Sequence, residues 1–283
     1  MNFTRRTRRK PRVGSPRPVF MVGCHRSGTT LARYLIDAHP NLACPPESKF
    51  IAGLKVFHDY PQSRAALLSL GFDEEDVRRE VRRMIEKFLG GYARRQGKSR
   101  WVDKTPNYFR LLPFIDAVFG GEALYLFVAR HPLDCIDSLY SMHASRRQFH
   151  DPEIRRSVRR HGKGFDGWAH YWNDVYGRIH DFSLTCPKRC HVFRYEDLVR
   201  LPTATLRRAL GFIGESLPSG LVRTAFTTAH TAGYEDPGIR DTKGVIAGRT
   251  GKWRDWPPDR IAMVWPLVEQ TAAWYGYTVN GNG

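Results

Sequence analysis

The sequence predicts an α/β fold in which a central parallel sheet is flanked by helices. Three short apolar runs, at residues 18–23, 123–130 and 190–195, have the length and composition of strands that are buried on both faces. Long helical patterns separate these runs, which implies parallel strands joined by right-handed crossovers. No repeat or internal linker interrupts the pattern, so we expect residues 18–283 to form a single domain.

Helical periodicity is clear in three segments, at residues 73–95, 164–182 and 257–277. The middle segment carries an aromatic stripe, which is more typical of a buried core than of a ligand cage. The stripe consists of Trp168, Tyr171, Trp172 and Tyr176.

The first apolar run leads into a glycine-bounded loop. Gly23 and Gly28 are five residues apart, and a helical pattern then begins with Thr29 and Thr30. Backbone N–H groups in such a loop, together with the positive end of the next helix, bind an anion. The spacing matches the nucleotide-binding pattern G-x-x-x-x-G-K-[ST], except that Thr29 replaces its lysine and the nearest cation is Arg26. The alternative is an ordinary strand-turn-helix corner that uses glycine for a positive φ.

The second apolar run ends in Arg130 and is broken by His131 and Pro132. A helical pattern follows, and it contains Ser138 eight residues after the arginine. An arginine at a strand end can bind phosphate through its bidentate fork. The alternative is a solvated strand end.

These two motifs resemble the sulfotransferase family, whose members use 3′-phosphoadenosine 5′-phosphosulfate (PAPS). The 5′-phosphosulfate loop of that family has the pattern R-S-G-T-T, and its 3′-phosphate site pairs a strand-end arginine with a serine eight residues later, as Arg130 and Ser138 are placed here. The resemblance implies a sulfotransferase fold with a P-loop-like loop, PAPS as cosubstrate, and cofactor contacts from the whole loop motif. That motif is Arg26, Ser27, Gly28, Thr29 and Thr30.

Three further segments resemble the tyrosylprotein and carbohydrate branch of the family. Glu47, two residues before Lys49, matches that branch's glutamate base. Lys104, which precedes Thr105-Pro106, matches a lysine that contacts the bridging oxygen of the leaving group. Tyr195 matches a tyrosine on the adenine side of the cofactor site.

A C-terminal segment, residues 248–253, resembles the loop that closes over the cofactor, which implies contacts from Arg249, Thr250 and Lys252. The branch has a serine before its Lys-Trp pair, whereas this chain has Gly251. Thr250 is a candidate replacement for that serine.

The resemblance implies sulfuryl transfer to an acceptor hydroxyl. Glu47 would be the general base, and Lys104 with Arg26 would stabilise the bridging oxygen and the departing 5′-phosphate. His25 and His131 are the rival bases. Because these cations can supply the positive charge that Mg²⁺ supplies in kinases, no metal is expected.

The formal net charge of +17 favours an acidic acceptor, such as an acidic peptide or an anionic glycan. The alternatives are that the charge only reflects solubility and composition, and that the basic run at residues 155–161 is a solvated helix face. Two other function classes compete. A P-loop small-molecule kinase explains only the loop, and a basic nucleic-acid-binding protein explains only the charge, since no motif of a nucleic-acid-binding fold accompanies it.

The sequence also suggests where the protein resides. It contains no apolar stretch long enough to span a membrane, and residues 1–17 form a basic segment, expected to be a disordered arm, without the apolar core of a signal peptide. The five cysteines are odd in number and lack C-x-x-C spacing, which predicts a reduced, cytoplasmic protein. Cys186 and Cys190 would pair only in an oxidising compartment.

Overall fold

The computed structural model describes residues 17–144, 146, 149–227, 230–233, 244–245 and 250–279. In this part of the chain, five parallel strands form one sheet in the order β2-β3-β1-β4-β5. The strands are β1 (Val19–Gly23), β2 (Leu42–Ala43), β3 (Arg100–Lys104), β4 (Leu124–Ala129) and β5 (Cys190–Arg194). The predicted parallel α/β fold is therefore confirmed.

Helices cover both faces of the sheet. They are α1 (Thr29–Asp37), α2 (Phe50–Asp59), α3 (Pro61–Ser69), α4 (Glu74–Arg95), α5 (Leu112–Val118), α6 (Pro132–His143), α7 (Pro152–His161), α8 (Phe165–Thr185), α9 (Tyr195–Arg200), α10 (Pro202–Phe212), α11 (Leu221–Thr224) and α12 (Pro258–Trp274). The three helices predicted from periodicity correspond to α4, α8 and α12.

The core lies on both faces of the sheet because side chains of each strand alternate between the two faces. Along β1, Phe20 and Val22 belong to one apolar cluster, whereas Val19 and Met21 belong to the other. All four of these side chains are fully buried. The aromatic stripe of α8 packs into the first cluster and is nearly inaccessible to solvent, which confirms its assignment to the core.

The topology brings the sequence motifs to one edge of the sheet. The chain leaves β1 toward β2 and β3 on one side, and then crosses to β4 and β5 on the other. Ligands of open α/β sheets bind at such a switch point, beyond the carboxyl ends of the strands. The loop after β1, Lys104 at the end of β3, Arg130 after β4 and Tyr195 after β5 all lie at this edge.

The structure bears on two sequence predictions, that of the N-terminal arm and that of the cysteines. Of the predicted N-terminal arm only Arg17 is described, and its Nε donates to the carbonyl of Glu122 at 2.7 Å. All five cysteines are free, with the sulfurs of Cys186 and Cys190 3.6 Å apart. Within the described residues, no helix is both long and apolar enough to cross a membrane.

Candidate active site

The loop between β1 and α1 has a shape that only glycine permits at two positions. Gly28 has a φ of 88°, and a Cβ there would lie 2.2 Å from the ring of Tyr195. A Cβ on Gly23 would lie 2.7 Å from the carbonyl oxygen of Val128. The hydroxyl of Ser27 donates to the carbonyl of Cys24 at 2.7 Å and closes the turn.

The amino end of α1 adjoins this loop, and α1 itself supplies no negative charge there. Gly28 caps the helix and offers no side-chain acceptor, and the first turn contains no acidic residue. By contrast, α4 begins with a capping box on Asp73 and three acidic residues. The first N–H groups of α1 are therefore suited to an anion, as a 5′-phosphosulfate requires.

The two predicted phosphate motifs meet in the structure. Arg130 is buried, and its Nη1 donates to the carbonyl oxygen of Arg26 at 2.7 Å. The Nε of Arg26 in turn donates to the hydroxyl of Ser138 on α6 at 2.9 Å. The guanidinium of Arg130 also lies 4.6 Å from the ring centre of Tyr195. The loop, the strand-end arginine, the helix serine and the tyrosine therefore form one connected cluster.

Backbone strain accompanies this cluster. Arg26 has a φ of 70°, which is unusual for a residue with a side chain. Such a conformation costs roughly 1–2 kcal/mol and persists where the surroundings hold it, frequently at functional sites. The hydrogen bonds of Arg26 to Arg130 and Ser138 are contacts that hold it here.

The candidate base is held between two lysines. Lys104 is completely buried, and its Nζ lies 3.2 Å from Oε1 of Glu47. The Nζ of Lys49 lies 3.2 Å from Oε2 of the same carboxylate. Burial acts to raise the pKa of Glu47, but the nearby positive charges, that of Lys104 foremost, outweigh it and lower that pKa below its ordinary value. Glu47 is therefore ionised at neutral pH.

Asp103 precedes Lys104 in the sequence but takes part in a different hydrogen-bond network. It is fully buried, and burial raises the pKa of its carboxyl to about 7 despite hydrogen bonds from Ser48 and Thr105. The Ser48 hydroxyl donates to Oδ2 of Asp103 at 2.8 Å, so the carboxyl fixes the residue that follows Glu47. Asp103 is therefore placed to orient the segment that carries Glu47.

The two rival bases differ in position. His25 lines the pocket, with its Nδ1 2.7 Å from the hydroxyl of Tyr171 and its Nε2 3.7 Å from Asp151. Burial lowers the pKa of His25, so its ring is neutral. His131 instead stacks on Trp253 with ring centres 4.8 Å apart, and burial lowers its pKa to about 4. His131 is packed in the aromatic core and does not line the pocket.

The C-terminal segment docks on α6 through backbone contacts that the sequence did not predict. The N–H groups of Gly251 and Lys252 donate to the carboxylate of Asp134 on α6, at 2.7 and 2.9 Å. Thr250 is half-buried and Lys252 is exposed, and neither residue is among those that line the pocket beside the loop. Arg249 lies outside the described residues.

A pocket of about 210 Å³ opens beside the loop. Its wall includes His25, Arg26, Thr29, Thr30 and Glu47, so the loop after β1 and the candidate base face the same pocket. Other lining residues come from the end of α6, the start of α7 and the segment between them. The sequence analysis predicted no site residue in this part of the chain. These lining residues include Met142, His143, Arg146, His150, Asp151 and Ile154.

Asp151 links the pocket to α7. One carboxylate oxygen accepts the N–H groups of Glu153 and Ile154 at 2.9 and 3.1 Å and caps the helix. The other accepts from Asn107 and faces His25. An Asp-Pro pair before a helical pattern is a recognisable N-cap signal, but it does not reveal which site the helix will adjoin.

Two known proteins are similar to this chain in sequence. The chain is 31% identical over 137 residues to the nodulation protein NoeE of Sinorhizobium fredii (strain NBRC 101917 / NGR234), covering 45% of this chain and 32% of that protein. It is 25% identical over 199 residues to the protein-tyrosine sulfotransferase of Drosophila melanogaster, covering 69% of this chain and 37% of that protein. The chain thus spans about a third of the length of these two relatives.

A solved structure shares the fold. The sulfotransferase domain of the olefin synthase from Synechococcus PCC 7002 superposes with a TM-score of 0.66 at 23% identity, covering 96% of this chain and 98% of that domain. The model of the sulfotransferase family matches residues 18–219, which is well over half of the sequence and includes β1 to β5, the loop, Glu47, Lys104, Arg130 and Tyr195. On that match, this chain belongs to the sulfotransferase family.

Proposed function

We propose that this protein transfers the sulfuryl group of PAPS to an acceptor hydroxyl. The observation that carries the proposal is the cluster in which Arg130 contacts both Arg26 and Tyr195. This cluster joins a loop suited to a 5′-phosphosulfate with an arginine suited to a 3′-phosphate. ATP has no 3′-phosphate, so a kinase has no need of the second element.

PAPS would be held at both of its anionic ends. The amino end of α1 and Arg26 would bind the 5′-phosphosulfate, with Ser27, Gly28, Thr29 and Thr30 shaping the loop. Arg130 and Ser138 would bind the 3′-phosphate. Tyr195, Arg249, Thr250 and Lys252 stay proposed cofactor contacts on the strength of the resemblance. Since Arg26 and Lys104 supply positive charge at the reacting end, we propose transfer without a metal ion.

The reaction would use Glu47 as the base and Lys104 as the cation that stabilises the leaving group. The acceptor oxygen forms a bond to sulfur while its proton passes to Glu47. The bond from sulfur to the bridging oxygen breaks, and that oxygen keeps the electron pair as part of the departing adenosine 3′,5′-bisphosphate. Lys104 stabilises the charge on this oxygen. Oε1 of Glu47 and Nζ of Lys104 lie 3.2 Å apart, so the proposed base and the proposed leaving-group cation meet at one point of the site.

The acceptor we propose is a peptidyl tyrosine in an acidic context. A relative that covers 69% of this chain is named a protein-tyrosine sulfotransferase. The first turn of α7 lines the pocket, and the same helix exposes Arg155, Arg156, Arg159 and Arg160. This basic face would attract an anionic acceptor toward the pocket mouth. A glycan or small-molecule hydroxyl is the alternative acceptor, and the cytoplasm is the proposed location.

The choice of nucleotide provides the first test. Adenosine 3′,5′-bisphosphate should raise the melting temperature far more than ADP or ATP with Mg²⁺, because only the bisphosphate fills both anion sites. Arg130→Ala should weaken bisphosphate binding by about 2–5 kcal/mol, as expected when one partner of a buried charged contact is removed. AMP, which lacks the 3′-phosphate, is the matched control. It loses only the support that Arg130 gives to the loop, so its affinity should fall less than that of the bisphosphate. Stronger stabilisation by ATP would favour a kinase.

The second test addresses the base. Glu47→Gln should lower kcat by on the order of 10²–10⁴-fold, the usual range for loss of a general base. The glutamine oxygen can still accept a hydrogen bond from Lys104 but carries no charge, so the variant should be less stable while it still folds and binds the bisphosphate. Glu122→Gln, which disrupts a glutamate–arginine pair outside the pocket, is the matched control. Near-normal turnover by Glu47→Gln would eliminate Glu47 and promote His25.

The pH profile of kcat/KM tests the same assignment independently. Because the pKa of Glu47 is lowered, the base stays ionised as the pH falls toward the ordinary glutamate value of 4.5. The acid limb of the profile should therefore lie below that value. A limb near pH 7 would instead point to Asp103, whose pKa is about 7.

The third test concerns α7 and the acceptor. Raising the salt concentration should increase KM for an acidic acceptor while kcat changes little, because the Debye length is only ~10 Å at 0.1 M salt. Replacing Arg159 and Arg160 with glutamine should reproduce the rise in KM at low salt. The same change at Arg207 and Arg208, which are exposed on α10, removes equal charge elsewhere. Equal effects of the two double variants would contradict a docking role for α7.

A further inference from the structure

A neutral histidine faces the candidate active site next to the arginine of the loop. His25 precedes Arg26 and lines the same pocket as Glu47. Its backbone carbonyl accepts a hydrogen bond from the sulfhydryl of Cys135 on α6 at 3.1 Å. Its side chain is 19% exposed, so part of the ring is open to the pocket. The backbone of His25 is therefore anchored, and its ring can reach a ligand.

Tyr171 decides which ring nitrogen of His25 carries the proton. The hydroxyl of Tyr171 lies 2.7 Å from Nδ1 of His25, which is its one hydrogen-bond partner among the described residues. Tyr171 is buried, and burial raises the pKa of its hydroxyl well above the ordinary value, so the hydroxyl keeps its proton. A buried donor without an acceptor costs roughly 1–3 kcal/mol, so the hydroxyl donates to Nδ1. A neutral imidazole that accepts at Nδ1 carries its own proton at Nε2.

The surroundings of Nε2 favour the same tautomer. Oδ2 of Asp151 lies 3.7 Å from Nε2, and its negative charge favours a protonated nitrogen there. This separation exceeds the roughly 2.7–3.2 Å of an N–H···O hydrogen bond. Asp151 already accepts from Asn107 through Oδ2 and caps α7 through Oδ1. The Nε2–H group is therefore a donor of fixed identity at the pocket wall, where a ligand can accept its hydrogen bond.

A fixed donor at this position suits an oxygen of the sulfuryl group better than the attacking oxygen. Sulfuryl oxygens are negatively charged and have only lone pairs, so they can only accept hydrogen bonds. A donor on the attacking oxygen would instead compete with the bond that this oxygen forms to sulfur. Preorganised donors contribute most where negative charge lies in the transition state. His25 also adjoins Arg26, which is the proposed partner of the phosphosulfate.

We propose that the Nε2–H group of His25 donates a hydrogen bond to a sulfuryl oxygen during transfer, and that Tyr171 is the positioning residue that fixes this tautomer. The inference rests on the proposed function and gives His25 a role other than that of a base. A base would need an unprotonated Nε2. Nδ1–H would then donate to Tyr171, and the hydroxyl proton of Tyr171 would have no acceptor among the described residues.

The tautomer can be measured without substrate. Long-range ¹H–¹⁵N NMR spectra of the free protein at neutral pH should show Nε2 of His25 protonated and Nδ1 unprotonated, with the signals assigned by their absence in His25→Gln. Tyr171→Phe removes the donor to Nδ1 and should give a mixture of tautomers. Tyr275→Phe is the matched control, because it removes a hydroxyl that donates to the carbonyl of Tyr176 at 2.8 Å outside the pocket. His25 should keep its tautomer in this control.

Turnover and product binding separate a donor from a residue that only supports the loop. His25→Ala should lower kcat by about 10²–10³-fold, the usual effect of removing one such donor. His25→Gln, whose amide N–H can take the place of Nε2–H, should retain most of the rate. Tyr171→Phe should lower kcat less than His25→Ala does. Adenosine 3′,5′-bisphosphate has no sulfuryl group, so its Kd should stay nearly unchanged in all three variants.

Four results would overturn the inference while leaving sulfuryl transfer in place. Nδ1 of His25 could carry the proton in the free protein. His25→Ala could turn over normally. His25→Gln could lose as much turnover as His25→Ala, which would point to proton abstraction by His25. The bisphosphate Kd could rise as much as kcat falls, which would reduce His25 to a support of the loop. If the unchanged protein transfers no sulfuryl group, the proposed function itself fails, and the donor role fails with it.

Discussion

The contact between Arg130 and the backbone of Arg26 is the interaction on which the candidate site depends. It ties the end of β4 to the loop after β1, and the ring of Tyr195 adds the end of β5 beneath both Arg130 and Gly28. Three strand ends are thereby fixed around one crevice at the switch point of the sheet. The strained backbone of Arg26 and the close approach at Gly28 are held by this packing.

Electrostatic balance is the second constraint. Glu47 is ionised because two lysine ammonium groups face its two oxygens, and the completely buried Lys104 in turn has a carboxylate partner. A buried charge without a partner would be strongly destabilising. The same ion pair holds the proposed base and the proposed leaving-group cation next to each other, close to the loop after β1.

Much of the fold and the phosphate cluster could be predicted because their signals are local in the sequence. The apolar runs of β1, β4 and β5 and the glycine spacing of the loop need no tertiary information. β3 was not predicted, because its sequence contains Arg100, Asp103 and Lys104, whose burial depends on partners far away in the chain. β2 was not predicted either, because its two residues are too few to form a recognisable strand pattern. The docking of Gly251 and Lys252 on Asp134 was also beyond prediction, since it joins residues more than a hundred positions apart.

A transfer assay with PAPS labelled at its sulfur tests the central claim most directly. The unchanged protein would be incubated with EDTA and with separate pools of acidic tyrosine peptides, glycans and small phenols, with the Lys104→Ala variant in parallel. The account predicts that label moves to an acceptor in EDTA, first of all to the acidic peptides, and that Lys104→Ala transfers it much more slowly because the leaving oxygen loses its cation. Failure to label any pool, together with phosphate transfer from ATP in the presence of Mg²⁺, would contradict it.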